Sequence, residues 1–510
     1  MRNVANLATS ALLASGASAQ VVQWNIEKRG NLAPMLNRRA GNTVSETITN
    51  EKTRGGYFAS CAVGTPPQNV TLQLDTGSSD IWVPASSASI CEESESQGGG
   101  CTFGSYDANQ SSSVEVINED FQIAYVDGSS SRGAYIAETF GIGDVEIQNV
   151  TMGLGLETDI AYGLVGVGYA ANEASVSQSA EIYNNLPIVM RDSGRIKTNA
   201  YSLWLNDLDA SKGNILFGGI DTDKYMGDLI RVNVIEDARS GLFTSFTVQL
   251  TSLQAHSSSG DDTLTSSSFP VPVVLDSGTT FSYLPQDLAE EVWQEVGAQY
   301  YLVGQQGAGA PLVPCALANN QGRLSFGFGG QGGPAINVSM DELVLPIFTG
   351  DPVPFETGPY KGQPACQFGV QNISGNSFLL GDTFLRSAYV VYDLENNEIG
   401  LAPTDFNATT SNVMAFPSRG AEIPSSTPAP NQDNIDPGST DAPKYNARAG
   451  FTKLDSGSSS SDSSGSGSSG SGSGDDNAAS LPRALDLTQM VVMGASMGLM
   501  MVGGGAFLLF

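Results

Sequence analysis

The sequence predicts an all-β protein of two lobes, related by a pseudo-twofold axis. Three observations lead there. The chain has 510 residues, more than one ordinary core accommodates. From Tyr57 to Pro403, short runs rich in Val, Ile, Leu, Phe and Tyr alternate with polar residues, and Gly, Pro, Asn and Asp break them, as half-buried strands require. One run also occurs twice, DTGSSDIWVP at 75–84 and DSGTTFSYLP at 276–285, 201 positions apart. Each copy is followed by two apolar residues and a glycine, Leu164-Val165-Gly166 and Leu379-Leu380-Gly381. The recurrence indicates that one lobe was built twice, and we place the lobes at 40–235 and 236–405.

In chain order, MRNVANLATSALLASGASAQ carries Arg2, an apolar stretch and Ala17-Ser18-Ala19, the layout of a signal peptide over 1–19. Lys28-Arg29 and Arg38-Arg39 are paired basic residues in a short polar leader, so 20–39 reads as a pro-segment cut at such pairs. In the body, GYFASCAVGTPPQNVTLQLD predicts two strands around a Thr-Pro-Pro turn. PQDLAEEVWQEVGAQY at 285–300 predicts a helix with Leu288, Val292, Trp293 and Val296 on one face and Gly297 near its end. After about Asn407, Pro, Ser, Thr and Asn dominate, and 456–474 is almost wholly Ser and Gly. Such a composition predicts a flexible stalk over 406–476. Met490–Phe510 is apolar throughout, and Asn477-Ala478-Ala479 lies a short spacer before it. That is the layout of a glycosylphosphatidylinositol attachment signal over 477–510, with Asn477 as attachment residue and Gly474 as second choice. The expected location is the extracellular face of the cell membrane, or the wall outside it.

The formal charge is −30, from 23 basic and 53 acidic residues, which excludes nucleic-acid binding through a general positive field. Residues 1–39 hold five basic residues and one acidic, a sum of +4, in front of the acidic body. The leader is therefore expected to be held by charge near neutral pH and released in acid. The single histidine, His256, sits in a Ser-rich stretch and reads as a solvated loop residue; with no G-x-S-x-G elbow, a serine triad has no support. No metal site or cofactor is expected. Of five cysteines, Cys91 and Cys101 close a short loop, Cys315 and Cys366 form the second pair, and Cys61 is left as a buried thiol. Six N-glycosylation sequons begin at Asn69, Asn109, Asn149, Asn337, Asn372 and Asn407.

The repeated run explains itself chemically. LQLD and VVLD are apolar strands that end on an aspartate, where a charge is costly unless donors hold it. Gly77 and Gly278 let the backbone turn its N–H groups toward Asp75 and Asp276. The inner hydroxyls, Thr76 and Ser277, are placed to bond across to the opposite loop, and the outer ones, Ser78 and Thr279, to bond the carboxylates. Two such loops in register bring two carboxylates side by side. They cannot both ionise, so they share a proton, one acting as base toward water and the other as acid toward a carbonyl.

Over roughly Tyr57 to Pro403 the chain resembles the pepsin-like aspartic proteases, on the two Asp runs, YGLVGVG and FLLGDTFLRSAYVVYDLENNEIGLA. The resemblance implies a bilobal β-fold with a cleft between the lobes and one catalytic Asp from each, Asp75 and Asp276, no cofactor, and extended polypeptide substrates bound by a monomer. It also implies a flap hairpin over the cleft, matched by FQIAYVDGSSSRGAY at 121–135, with Tyr125 as flap tyrosine paired to the indole of Trp82. Where the family usually has Gly after that tyrosine, this chain has Val126. Asp127 falls at a flap-tip position facing the pocket for the residue before the scissile bond, P1, where a carboxylate favours Lys or Arg; an Asp-Gly hairpin turn is the plain alternative. With the anchor and stalk, the resemblance extends to fungal yapsin-type proteases held in the membrane by a lipid anchor. The alternatives are a broad-specificity enzyme with apolar P1 and a non-catalytic surface binding protein on the same fold.

Overall fold

The computed structural model describes residues 21–28, 56–92, 100–125, 128–143, 145–177, 181–210, 212–264, 269–303, 308–347, 353–375, 377–433, 435 and 442–453. The leader contributes β1 (Val22–Lys28). The first lobe follows with β2 (Tyr57–Val63), β3 (Gln68–Asp75), β4 (Ile81–Pro84), β5 (Glu115–Ala124), β6 (Ser130–Ile142), β7 (Val145–Thr158) and β8 (Leu164–Gly166). Next come β9 (Ala200–Trp204), β10 (Lys212–Phe217), β11 (Gly219–Asp221) and β12 (Leu229–Asn233). The second lobe opens with β13 (Thr247–Ser257), β14 (Gly260–Leu264), β15 (Val271–Leu275) and β16 (Ser282–Leu284).

Helix Gln286–Val296 buries Leu288, Val292, Trp293 and Val296 and ends on Gly297 at φ 79°, a left-handed cap that glycine adopts without strain. Beyond it lie β17 (Gln299–Val303), β18 (Ala308–Pro314), β19 (Arg323–Phe328), β20 (Ala335–Ser339), β21 (Val344–Pro346), β22 (Ala365–Phe368), β23 (Val370–Asn372) and β24 (Phe378–Leu380). The chain closes with β25 (Ala388–Asp393), β26 (Glu398–Pro403), β27 (Val413–Ala415) and β28 (Ser426–Pro428).

The doubled sequence is doubled in register. In the first lobe β3 pairs parallel with β8, Gln73 opposite Leu164 and Asp75 opposite Gly166, while β4 pairs antiparallel with β8 and parallel with β7. In the second, β15 pairs parallel with β24, Val274 opposite Leu379, while β16 pairs antiparallel with β24 and parallel with β23. Each aspartate thus leaves its strand at the same point of the same three-strand arrangement. The lobes do not separate cleanly at residue 235. A 14-stranded sheet runs from the flap strands through β2, β1, β10 and β9 to β25, β26 and β12. Strands from late in the chain therefore complete a sheet that begins in the first lobe.

Two terminal segments differ from expectation. The described part of the leader is a strand between β2 and β10. Val22, Trp24 and Ile26 are buried, and the Trp24 indole donates to Ser60 O at 3.0 Å. Strand pairing and alternating apolar burial hold these residues, an attachment that the expectation from net charge leaves out.

At the other end, residues 406–433 and 442–453 lie on the body, although composition placed them in the stalk. β27 pairs with β11, β28 extends the sheet beside β12, and Phe416 and Phe451 are fully buried. Polar ties fix this strap, among them Lys224 Nζ to Ala408 O at 2.7 Å and Ser257 Oγ to Ala447 O at 2.6 Å.

His256 also differs from expectation. It lies on β13, its side chain only 18% exposed, with Nδ1 2.8 Å from Asp261 Oδ1 across the β13–β14 hairpin. Both disulfides, Cys91–Cys101 and Cys315–Cys366, are formed, and Cys61 is a buried free thiol. The sequon residues Asn69, Asn109, Asn149, Asn337 and Asn407 are exposed, and Asn372 is half-buried. The signal peptide, Gly474, Asn477 and the apolar tail lie outside the described residues. No helix among the described residues is long and apolar enough to cross a membrane.

Candidate active site

Asp75 and Asp276 are wholly buried where the two loops meet. Gly77 N–H donates to Asp75 Oδ1 and Gly278 N–H to Asp276 Oδ1, each at 2.8 Å. Ser78 Oγ donates to Asp75 Oδ2, and Thr279 Oγ1 to Asp276 Oδ2 at 2.7 Å. The inner hydroxyls cross between lobes. Ser277 N–H donates to Thr76 Oγ1 at 2.9 Å and Thr76 N–H to Ser277 Oγ at 3.2 Å. Thr76 Oγ1 then donates to Leu275 O at 2.9 Å, and Ser277 Oγ to Leu74 O at 3.1 Å. These reciprocal bonds fix one loop against the other and set the separation of the carboxyl groups. A Cβ on Gly77 would stand 2.6 Å from the Asp276 carboxyl, so only glycine lets the groups approach this closely.

The two carboxyl groups lie close enough that the charge on one bears on the protonation of the other. Burial is the largest influence at both. It pushes Asp75 well above the usual carboxylate range, with the charge on Asp276 adding to it. Asp276 is pushed up by burial as well, against the opposing donors Thr279 and Gly278. A buried pair of this kind holds one proton more strongly than an exposed carboxyl does, and the four donors stabilise the one charge that remains.

Above the pair stands the β5–β6 hairpin. The Trp82 indole N–H donates to the Tyr125 hydroxyl at 2.7 Å, as the sequence suggested, and both side chains are buried. Burial first, then the charge on Asp75, keeps the Tyr125 phenol well above its usual range and therefore neutral. Gly128 takes φ 85° in the tight return from Tyr125. Val126 and Asp127 lie outside the described residues.

Two supports of the site were not foreseen. Gln73 Nε2 donates across the lobes to Gly278 O at 3.2 Å, and Asn172 Nδ2 donates to Gly77 O at 3.1 Å. Gln73 lies two positions before Asp75, where the second copy has Val274, and that mismatch was the readable signal.

Residues 56–404, more than half of the chain, match the family described as eukaryotic aspartyl protease. The chain is 40% identical over 401 residues to "Probable aspartic-type endopeptidase OPSB" of Trichophyton verrucosum (strain HKI 0517), covering 77% of each chain. It is 30% identical over 470 residues to "Aspartic proteinase 3" of Saccharomyces cerevisiae (strain ATCC 204508 / S288c), covering 78% of each. To "Secreted aspartic protease 3" of Candida albicans it is 35% identical over 376 residues, which is 73% of this chain and 85% of the relative. With two buried carboxyl groups set by matching loops, the chain belongs to the eukaryotic aspartyl protease family and is an aspartic endopeptidase.

Proposed function

We propose that this endopeptidase hydrolyses extended polypeptides with a water molecule activated between Asp75 and Asp276. The observation that carries the proposal is the buried pair, with one N–H and one hydroxyl donor on each member and loops tied to each other across the lobes. In the resting state the pair holds one proton. The ionised member takes a proton from water as it attacks the scissile carbonyl carbon, and the protonated member gives its proton to the carbonyl oxygen. The tetrahedral diol then collapses as a proton passes to the leaving nitrogen, and the pair returns to its starting charge. No covalent enzyme intermediate forms. The hairpin bearing Tyr125 closes over the substrate and excludes bulk water.

We place the enzyme outside the cell, on a lipid anchor, as a yapsin-type protease. The signal-like leader, the Ser/Gly stalk and the apolar tail behind Asn477 support this, as does likeness to a relative named a secreted protease. We further propose Lys or Arg at P1, through a charge-assisted hydrogen bond to Asp127. A peptide library cut by the ectodomain in acid tests this specificity. Wild type should cut after Arg in preference to Leu, and Asp127→Ala should lose about tenfold of that preference, the value of one charged hydrogen bond. Equal cleavage after Arg and Leu by wild type contradicts it and favours apolar P1.

A further inference from the structure

The two Asp runs match at most positions; the mismatches of chemical kind are Asp80 against Phe281 and Ile81 against Ser282, and only the first sets an acid against a hydrocarbon. Five residues after Asp276 stands Phe281, buried among Val274, Tyr283 and Leu379. Five residues after Asp75 stands Asp80, also fully buried. A buried carboxyl is expensive where its counterpart is a phenyl ring, so it needs a reason belonging to the first lobe alone. The flap hairpin is such a feature.

Asp80 is an acceptor at both oxygens. Oδ1 accepts the Tyr135 hydroxyl at 3.2 Å and the Tyr183 hydroxyl at 2.8 Å, and Oδ2 accepts Ala174 N–H at 2.8 Å. Its backbone carbonyl accepts Gly166 N–H at 2.9 Å, on the strand that pairs with Asp75. Neighbouring Glu173 is buried too and accepts Tyr183 N–H at 2.9 Å. Burial pushes Glu173 up to about 9, so in acid it is neutral and does not compete for these donors as a second charge.

Tyr135 lies on β6, the returning strand of the hairpin. Its ring meets Phe121 of the outgoing strand edge-on, with centroids 5.3 Å apart, and Phe121 lies against Trp82 at 6.4 Å. Trp82, two residues beyond Asp80, holds the Tyr125 hydroxyl. The path from Asp80 to the flap tyrosine is therefore contiguous: Tyr135, Phe121, Trp82, Tyr125.

We propose that Asp80 is a positioning residue for the reaction, its carboxylate fastening the root of the flap hairpin, through Tyr135, to the loop that carries Asp75. The inference rests on the proposed proteolytic reading. A fastened root keeps the hairpin near its closing position. A loosened root lowers the fraction of molecules ready to close, and apparent substrate affinity falls by that fraction.

Asp80→Asn, Tyr135→Phe and Tyr183→Phe test this, with KM, kcat, affinity for a statine-type inhibitor, active-site titre and Tm measured for each. Tyr135→Phe and Tyr183→Phe each remove one phenolic donor from the same oxygen, Tyr183 the closer of the two, but only Tyr135 lies on the hairpin, so a structural role alone makes Tyr183→Phe at least as harmful. The expected result is a KM about tenfold higher for Asp80→Asn and Tyr135→Phe, the cost of one buried hydrogen bond lost. Inhibitor affinity should fall in parallel and kcat should change less. Tyr183→Phe should lower Tm with KM near wild type, and the Asp80→Asn/Tyr135→Phe double variant should be no worse in KM than Asp80→Asn alone. Equal KM effects at Tyr135 and Tyr183, or losses confined to Tm and titre, overturn the inference. If Asp80→Asn fails to fold, the two tyrosine variants still decide. A wild type that cleaves beside unaffected variants sinks this inference alone, whereas a wild type without cleavage sinks the proteolytic reading.

Discussion

Replacing Asp276 by Asn should lower kcat by about three to four orders of magnitude while the protein folds and binds a statine-type inhibitor, because an acid–base group is removed at constant shape. Asp75→Asn should do the same, and the double variant should be little worse than either alone. The reason is that one proton serves two groups. Asp75 and Asp276 each accept one backbone N–H and one hydroxyl, and the charge on Asp276 adds to the burial that raises Asp75. An amide at either position cannot pass the proton on, so half the pair has no residual chemistry. Steady-state kinetics on titrated enzyme provide the check. Losses that add across the double variant would mean that the groups act separately.

The second large effect concerns the strap. A chain cut after residue 405 should fail to give a stable folded monomer, whereas one ending at residue 453 should match the full chain in Tm and activity. Removing 406–453 uncovers the sites of Phe416, Ile423, Ala429, Ala447 and Phe451, all buried, and strips β27 from β11 and β28 from β12. Emptying the site of one buried Phe costs about 3–5 kcal/mol, and two are lost here, against a whole-protein stability of about 5–15 kcal/mol. The Asp221 carboxylate, 4% exposed in the intact chain, would also lose Ser411 Oγ at 2.6 Å and Asn412 N–H at 2.8 Å. Secreted yield and thermal unfolding decide it. A 405-residue truncation melting within a few degrees of wild type would show that the strap is ornamental.

The catalytic pair was legible because its two runs share residue type at the first five positions and the last three of ten, and chance does not reproduce an acid, a glycine and hydroxyls in that order twice. The trailing Leu-Val-Gly and Leu-Leu-Gly were legible for the same reason, and they form the strands that pair beside each aspartate. What escaped was whatever broke the repeat. Asp80 and Gln73 face Phe281 and Val274 in the other copy, and a comparison tuned to likeness passes over them.

The strap escaped for another reason. Its polar and Pro-rich composition is that of a linker, and only scattered residues such as Phe416, Ile423 and Phe451 anchor it, too widely spaced to make a period. The leader strand was in plain view. Val22, Trp24 and Ile26 alternate with Gln23 and Asn25, but the basic pairs beyond drew the reading toward charge. Tertiary neighbours decided His256, since Asp261 reaches it only once the β13–β14 hairpin has formed.

The pH dependence of kcat/KM for the purified protein tests the shared proton most directly. A bell with two limbs is expected: the acid limb marks protonation of the remaining carboxylate, and the alkaline limb marks loss of the shared proton. Burial places that alkaline limb above the ordinary carboxylate range near 3.9. A profile with one limb, or an alkaline limb at the value of an exposed carboxyl, would contradict a proton held in common by Asp75 and Asp276.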